Sequence, residues 1–527
     1  VIFICSFAIF KAKYSFGGFH MRIRGTIFVC AIAAVLFLSS TSGAAIIERH
    51  LFGDSTLNSS NEAHTGFINA KLSSFAQTTD VHLVDEGNPL RADELAILIK
   101  KDPVKLFELQ KIIELFHGSN HYEDGIYTAL ILESIVESIN DEHIRKGLDF
   151  LISTGDHTDS GMKDELEWFV DILDGKVPED FKDHPNSDLD IKTIKPDPEG
   201  LMIPWYAAIG NHDVEYMGAF NSDGFVGLLV KLLAYEVDPN DISVFKDVAG
   251  IYAASSKADT TDPKGHGFAG LKTRGYYSFD PTPFVHCIVL NTAYFYNTQT
   301  GMPLESLSGG LLDAAQYDWA LSEIEENSDK LCIIFSHHPT RSYKEVSEKQ
   351  AKNYISGDRM KAALLKYENV IAYVNGHKHD NNIIAQTEGT NGYWDITTSG
   401  SHGYPQEWRE ITVMDRGDGT GVISCRMMGH DPVLTDIDID PRYPDGTDTI
   451  LLSIFDEGGM GNAGDKEDRD VDLYFKIPEA VAANIMANYV PPADETDTSE
   501  VATASEEALS DSDSGSGGAC FISTAVL

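Results

Sequence analysis

At 527 residues and 42% hydrophobic, the chain has material for one large domain or two ordinary ones with a substantial core, which excludes disorder of the whole. Its 82 acidic and 40 basic side chains give a formal charge of −42, which argues against a nucleic-acid binding surface and favours a small substrate. Such acidity also suits a protein that must stay soluble in a salty medium, and it carries no information about a reaction.

The first residue is not Met. The first Met, Met21, is followed by Arg22 and Arg24, the apolar run Thr26 to Leu38, and the small residues Ser39 to Ala45. That is the layout of a secretory signal over residues 21–45: basic start, apolar middle too short to span a bilayer, small residues for cleavage. Residues 1–20 are expected to precede the true start, and the protein to be exported to periplasm, cell surface or medium; an uncleaved anchor is the competing reading. Cys5 and Cys30 fall in segments expected to be lost. Cys287, Cys332 and Cys425 lie in apolar, strand-like runs and read as free buried thiols, so no obligatory disulfide is expected.

Beyond the signal, strand-like runs at Phe75 to Thr79, Leu148 to Thr154, Trp205 to Ile209, Val285 to Leu290, Leu331 to Phe335 and Val370 to Asn375 alternate with helix-like Ala129 to Asn140, Asp313 to Glu326 and Asp358 to Lys366. That alternation predicts an α/β layered core. Three stretches, Glu86 to Asp124, Val177 to Gly200 and Glu215 to Gly275, exceed what compact connections need and read as inserted loops that shape a site or decorate the surface. After residue 390, runs at 392–397, 410–414 and 421–425 are expected to complete a second sheet packed on the first. Residues 431–490 form a C-terminal extension packing on the domain at 70–430; they hold one clear strand, Val471 to Lys476, and a Gly- and Asp-rich loop without the spacing of a known calcium loop. From Pro491 the chain turns to Asp, Glu, Ser, Thr and Ala and predicts a flexible acidic tail over 491–527. It ends in Ala519-Cys520-Phe521-Ile522, which resembles the Cys-Phe-Ile tails of some exported bacterial proteins and suggests surface attachment or processing.

Five short segments follow apolar runs and carry metal-binding residue types: Thr79-Asp80-Val81-His82, Gly155-Asp156, Gly210-Asn211-His212-Asp213, Ser336-His337-His338-Pro339 and Gly376-His377-Lys378-His379. In layered α/β proteins ligands come from loops at the carboxyl ends of strands, where all five lie. Together they offer hard carboxylates, a carboxamide and borderline imidazoles, the inventory of a two-metal hydrolase. Gly before three of these ligands is expected to let the backbone turn sharply as the strand ends.

The order and context of these motifs resemble the calcineurin-like metallophosphoesterases from about Phe75 to Met427. The resemblance implies a two-sheet αββα sandwich and two divalent or trivalent ions, of Mn, Fe, Zn, Ni or Co, that the sequence does not choose between. It places one on Asp80, His82, Asp156 and His379 and the other on Asp156, Asn211, His337 and His377, with Asp156 bridging. Ions roughly 3.5 to 4 Å apart would acidify a bridging water to hydroxide and clamp phosphoryl oxygens for in-line attack. His212 is then the imidazole left to protonate the leaving oxygen, its ordinary pKa being near neutrality, with Asp213 expected to orient it. His338 is left for substrate or for support of a ligand.

Purple acid phosphatases have a Tyr three residues after the Gly-Asp; here that position is Asp159, and His82 takes the first motif away from theirs as well. Gly155-Asp156-x-x-Asp159-x-Gly161 with Asn211-His212-Asp213 and His337-His338-Pro339 looks instead like bacterial class III cyclic-nucleotide and glycerophosphodiester phosphodiesterases, in which Asp159 would support a ligand. His157 departs from their usual apolar residue. Ser401 to Gln406, with Trp408 and Arg409, occupies the place of a Pro-Gln segment near related sites, and His402 is a candidate for contact with substrate or ligands. The reading is an exported enzyme that hydrolyses a phosphodiester or phosphomonoester, a small phosphoester being its partner. The alternatives are a retired, surface-tethered binding protein and a 5′-nucleotidase, for which residues 431–490 make a poor substrate domain.

Overall fold

The computed structural model describes residues 46–51, 65–85, 125–178, 196–215, 218, 275–293, 309–345, 353–434, 447–454 and 458–491. In chain order the strands are β1 Ile47–His50, β2 Ala70–Thr78, β3 Phe150–Ser153, β4 Trp205–Ala207, β5 Tyr277–Thr282, β6 Val285–Val289, β7 Leu312–Asp313, β8 Leu331–Phe335, β9 Tyr354–Ile355, β10 Val370–Asn375, β11 Asn382–Glu388, β12 Asn391–Thr397, β13 Trp408–Asp415, β14 Thr420–Met428, β15 Val433–Leu434, β16 Thr447–Asp448 and β17 Val471–Lys476. The α-helices are α1 Thr128–Lys146, α2 Lys163–Asp174, α3 Ala314–Glu326, α4 Gly357–Leu364, α5 Thr449–Ser453 and α6 Glu479–Asn488.

Two sheets dominate. One has seven strands in the order β1-β17-β14-β13-β2-β3-β4, the other six in the order β11-β12-β10-β8-β6-β5. In β6, β8 and β10 every residue is buried, as strands covered on both faces must be. Their period of two splits the burial: Val285, Cys287 and Val289 join the main core between the sheets, and Ile288 packs with Tyr317, Ala320 and Leu364 of α3 and α4 on the outer face. On the seven-stranded sheet α1 and α2 do the corresponding work, Phe169 meeting Trp205 edge-on at 5.8 Å between ring centres. The helices begin where caps allow: Asp313 accepts from the Gln316 N–H and Ser356 from the Arg359 N–H. Helices outside and two sheets within are the sandwich expected from the sequence.

Three expectations need correction. The strands after residue 390 do not all complete one second sheet: β12 pairs in parallel with β10 in one sheet, whereas β13 pairs antiparallel with β2 in the other. Hydrophobic periodicity identifies a strand but not its partner, and the first six predicted strands likewise divide three and three between the sheets. The limits 70–430 cut through a sheet, since β17 pairs antiparallel with β14 and in parallel with β1. Val471, Leu473, Phe475, Val481 and Ile485 belong to the main core, so residues 471–488 are an integral part of the domain rather than an extension laid on it. Residues 1–45, most of each inserted stretch, and the tail from 492 with Cys520 lie outside the described residues. Cys287, Cys332 and Cys425 are free and buried.

Candidate metal centre

Parallel pairing brings the motifs together. In the seven-stranded sheet β2, β3 and β4 lie side by side and parallel, so Asp80, Asp156 and Asn211 leave adjacent strand ends. In the other sheet β8 and β10 do the same for His337 and for His377 and His379. Both sets of ends meet at one edge of the sandwich.

There the backbone is strained where the candidate ligands sit. Asp80, His82, Asp156, His377 and His379 have φ of 48°, 45°, 54°, 70° and 53°, in the left-handed region that costs a residue with a Cβ about 1–2 kcal/mol. The turning expected of the glycines is therefore done largely by the ligands themselves. Gly155 does turn, at φ 96°, but Gly210 and Gly376 lack positive φ; they are glycines because a Cβ would strike the Asp156 carboxylate in one case and Thr79 and Asp80 in the other.

Hydrogen bonds at one ring nitrogen fix what the other can do. His337 Nδ1 lies 2.8 Å from the Thr154 carbonyl, which can only accept, so Nδ1 carries the proton. Nε2 then faces Asp156 Oδ2 and Asn211 Oδ1, each at 3.0 Å. His82 turns Nδ1 to Asp159 Oδ1 at 3.3 Å and Nε2 to His379 Nε2 at 3.2 Å. His379 Nε2 in turn stands 3.2 Å from Asp80 Oδ1, a buried oxygen with no hydrogen-bond partner. Electron-rich atoms converging from separate strands, one of them an orphaned carboxylate oxygen, fit divalent cations in hardness and in geometry. Among the described residues four clusters, Asp80/His82/His379, Asp80/Asp156/His337, His337/His338/His377 and His82/Asp159/His212, bring potential ligand atoms within 4.8 Å of one another. His377 also donates its backbone N–H to Asp80 Oδ2 at 2.8 Å.

Without cations these groups neutralise one another. Burial alone would raise the Asp80 carboxyl, but the neighbouring His379 holds it well below the usual range. Burial would lower His337, yet the Asp156 charge pushes it up to about 9, and Asp80 likewise raises His379. Burial, with His212 beside it, keeps His82 far below its ordinary value.

His212 is expected to protonate the leaving oxygen and Asp213 to orient that ring; the structure brings His212 to the cluster. His212 packs edge-on against His82, 4.5 Å between ring centres, and its Nδ1 donates to the Asp159 carbonyl at 2.6 Å, leaving Nε2 to act. Asp213 does not orient it. The Asp213 carboxylate accepts the backbone N–H groups of Asp156, His157, Thr158 and Gly210 at 3.1, 2.7, 3.2 and 2.8 Å and pairs with His157 Nδ1 at 3.1 Å. Neighbours on a tight turn point different ways, and this one points back to clasp the Asp156 loop to the Asn211 loop. His157, the departure noted in the sequence, contributes its ring Nδ1 to that clasp. Asp159 supports His82, as expected.

His338 takes a hydrogen bond with Thr292 Oγ1 at 2.8 Å and packs on His377, 4.4 Å between centres. His402 donates Nδ1–H to the Asp80 carbonyl at 2.7 Å and lies 4.8 Å from His82, centre to centre, so it joins the site's imidazoles; burial lowers it to about 3. Sequence reasoning missed Glu165, which accepts the N–H groups of Asp85, Ser160 and Met162 and so ties the loops after β2 and β3 to the start of α2. The Gly- and Asp-rich loop spends its polar groups on the fold: Asp468 accepts from Ile383 N–H and pairs with Arg49.

The model of the calcineurin-like phosphoesterase family matches residues 73–381, more than half of the chain, and the protein belongs to that family. Among solved structures it is similar to a dimetal phosphatase from Danio rerio, at 13% identity over 68% of this chain and 96% of that one, TM-score 0.35. It is also similar to a purple acid phosphatase from yellow lupin seeds (11%, 69% and 52%, TM-score 0.34) and to GAP50, the anchor in the inner membrane complex of Plasmodium (10%, 66% and 84%, TM-score 0.28). No curated protein matches the chain at a significant level.

Proposed function

We propose that the protein is an exported phosphoesterase with two metal ions that hydrolyses a small phosphodiester in preference to a monoester. The observation that carries this reading is the convergence of Asp156 Oδ2, Asn211 Oδ1 and His337 Nε2 within 3.0 Å contacts beside the orphaned Asp80 oxygen. Asp80, His82, Asp156 and His379 would hold one ion and Asp156, Asn211, His337 and His377 the other. When bound, the ions supply Lewis acidity toward phosphoryl oxygens and a water made acidic enough to attack at neutral pH.

The chain's own residues do the rest. Asp159 holds the Nδ1 edge of His82 and Thr154 that of His337, so both rings turn Nε2 to the site without reorientation. His212, anchored through Nδ1, delivers a proton from Nε2 to the leaving oxygen when its ring is charged. Preference for the diester rests on the motif pattern around Asp159. The complete ligand set with His212 counts against a retired binding protein. A 5′-nucleotidase would need a separate substrate domain, and residues 471–488 are spent on the sandwich itself. Export rests on the signal-like layout of residues 21–45.

The test is hydrolysis of bis-p-nitrophenyl phosphate against p-nitrophenyl phosphate by the mature chain, after chelation and after adding back Mn, Zn or Fe, with Asn211→Ala as control. Metal-dependent diester turnover lost in the mutant is expected. No turnover of either ester by protein carrying two ions would sink the catalytic reading and favour the binding protein.

A further inference from the structure

Under the candidate centre runs a chain of hydrogen bonds with one direction. Arg409 is wholly buried, yet among the described residues its guanidinium meets no carboxylate at ion-pair distance; it donates to the Thr398 hydroxyl, the Asn381 carboxamide and the carbonyls of Asp468 and Arg469. Such a charge is expensive to bury, and neutral acceptors offset the cost only where they are held in place. Arg409 Nε lies 2.9 Å from Thr398 Oγ1, which lies 2.7 Å from Gln77 Oε1. Gln77 Nε2 then reaches the Asn375 carbonyl and Thr154 Oγ1, both at 3.1 Å.

Chemistry at the two ends sets the direction. A guanidinium can only donate and a peptide carbonyl can only accept, so Thr398 must pass its own proton to Gln77 Oε1 and Gln77 must turn its amide to Asn375. Thr154 is the residue whose carbonyl holds His337 Nδ1–H at 2.8 Å. The chain crosses between the sheets three times, from β13 to the residue after β12, back to β2, and then to the end of β10. Four of the polar residues it uses stand close to a candidate ligand in sequence: Gln77 three before Asp80, Thr154 two before Asp156, Asn375 two before His377, Asn381 two after His379.

We infer that Arg409, Thr398 and Gln77 form a positioning relay that fastens the two sheets beneath the centre and sets the approach of His337 to Asp156, so that the affinity for the second metal ion depends on residues that never touch it. Each link polarises the next, and loss of any link leaves a buried donor or acceptor unmatched directly under the ligands. The inference rests on the two-metal reading of the site. It concerns metal affinity and not the identity of the substrate.

The experiment compares Thr398→Val, which removes one hydroxyl at constant shape, and Gln77→Met with the full-length wild type. Bound Mn is counted by mass spectrometry and its affinities are measured by competition with a chelator; thermal unfolding of the chelated protein reports on the fold alone. The expected result is two ions in the wild type and an affinity for one of them reduced about 10- to 100-fold in both variants, with changed Co(II) absorption at that site. Thr398→Ser, which restores the hydroxyl, should return the wild-type value. Affinity and Co(II) spectrum unchanged in Thr398→Val would overturn the relay while leaving the two-metal reading intact. A wild type that takes up no ion would overturn both.

Discussion

The two sheets contribute unequally to the centre. The seven-stranded sheet sends oxygen ligands, Asp80, Asp156 and Asn211, with one imidazole, and holds them by backbone: Asp213 gathers four N–H groups, and Asp156 Oδ1 takes the His212 N–H at 2.8 Å. The six-stranded sheet sends only imidazoles, and what orients them comes from across the gap. His337 is tied to Thr154 and the His377 peptide to Asp80, both of the other sheet's edge. One half is built locally and the other is completed only when the sandwich closes. The proposed dinuclear site is thus a test of sheet register as much as of ligand identity.

Asp156→Ala should break that comparison most severely, because the shared carboxylate faces both His337 at 3.0 Å and the His82 ring at 3.8 Å. Turnover is expected to vanish and metal content to fall from two ions to one or none, as counted by mass spectrometry. Retention of two ions would refute Asp156 as the bridge.

Asp213→Asn tests the locally built half. The amide would push donors at the Gly210 and Asp156 N–H groups and forfeit the His157 pair, so affinity for metal should drop about 10- to 100-fold while His212 keeps its anchor on Asp159. Loss of kcat with metal affinity unchanged would instead return Asp213 to the role of orienting His212.

The half closed by register should show itself in pH. In the metal-free protein the Asp156 charge raises His337 to about 9, so that ring is protonated at neutral pH and an ion must displace its proton to reach the lone pair, while Asp80 shifts His379 in the same direction. Affinity should therefore rise with pH up to about 9, by up to about tenfold per unit for each proton released, and fall in acid. Calorimetric titration of Mn in two buffers of different ionisation enthalpy reads the proton count; a count of zero at pH 7 would contradict the imidazolium–carboxylate pairs.

Much of this was legible beforehand. Leu331–Phe335, Val370–Asn375 and Val471–Lys476 appear as strands at the limits read from their apolar runs, and the candidate ligand motifs follow where such runs stop. What could not be read was partnership. Nothing in residues 408–428 says that they pair beside β2, and nothing in Val471–Lys476 says that it continues that sheet, since period-two burial is the same whichever neighbour a strand has. Asp213 was misread for a similar reason: sequence places it beside His212, but the turn aims its carboxylate at the peptide groups of Asp156 and Gly210.

By itself, then, the sequence determined which atoms are available, in what order, and that each follows a strand, because those properties depend on residue type and local periodicity. Only the tertiary structure decided which of them meet. The left-handed backbone at five ligands, the clasp of Asp213 and the relay from Arg409 all depend on strands far apart in the chain being set side by side, and it is packing across two sheets that selects that arrangement.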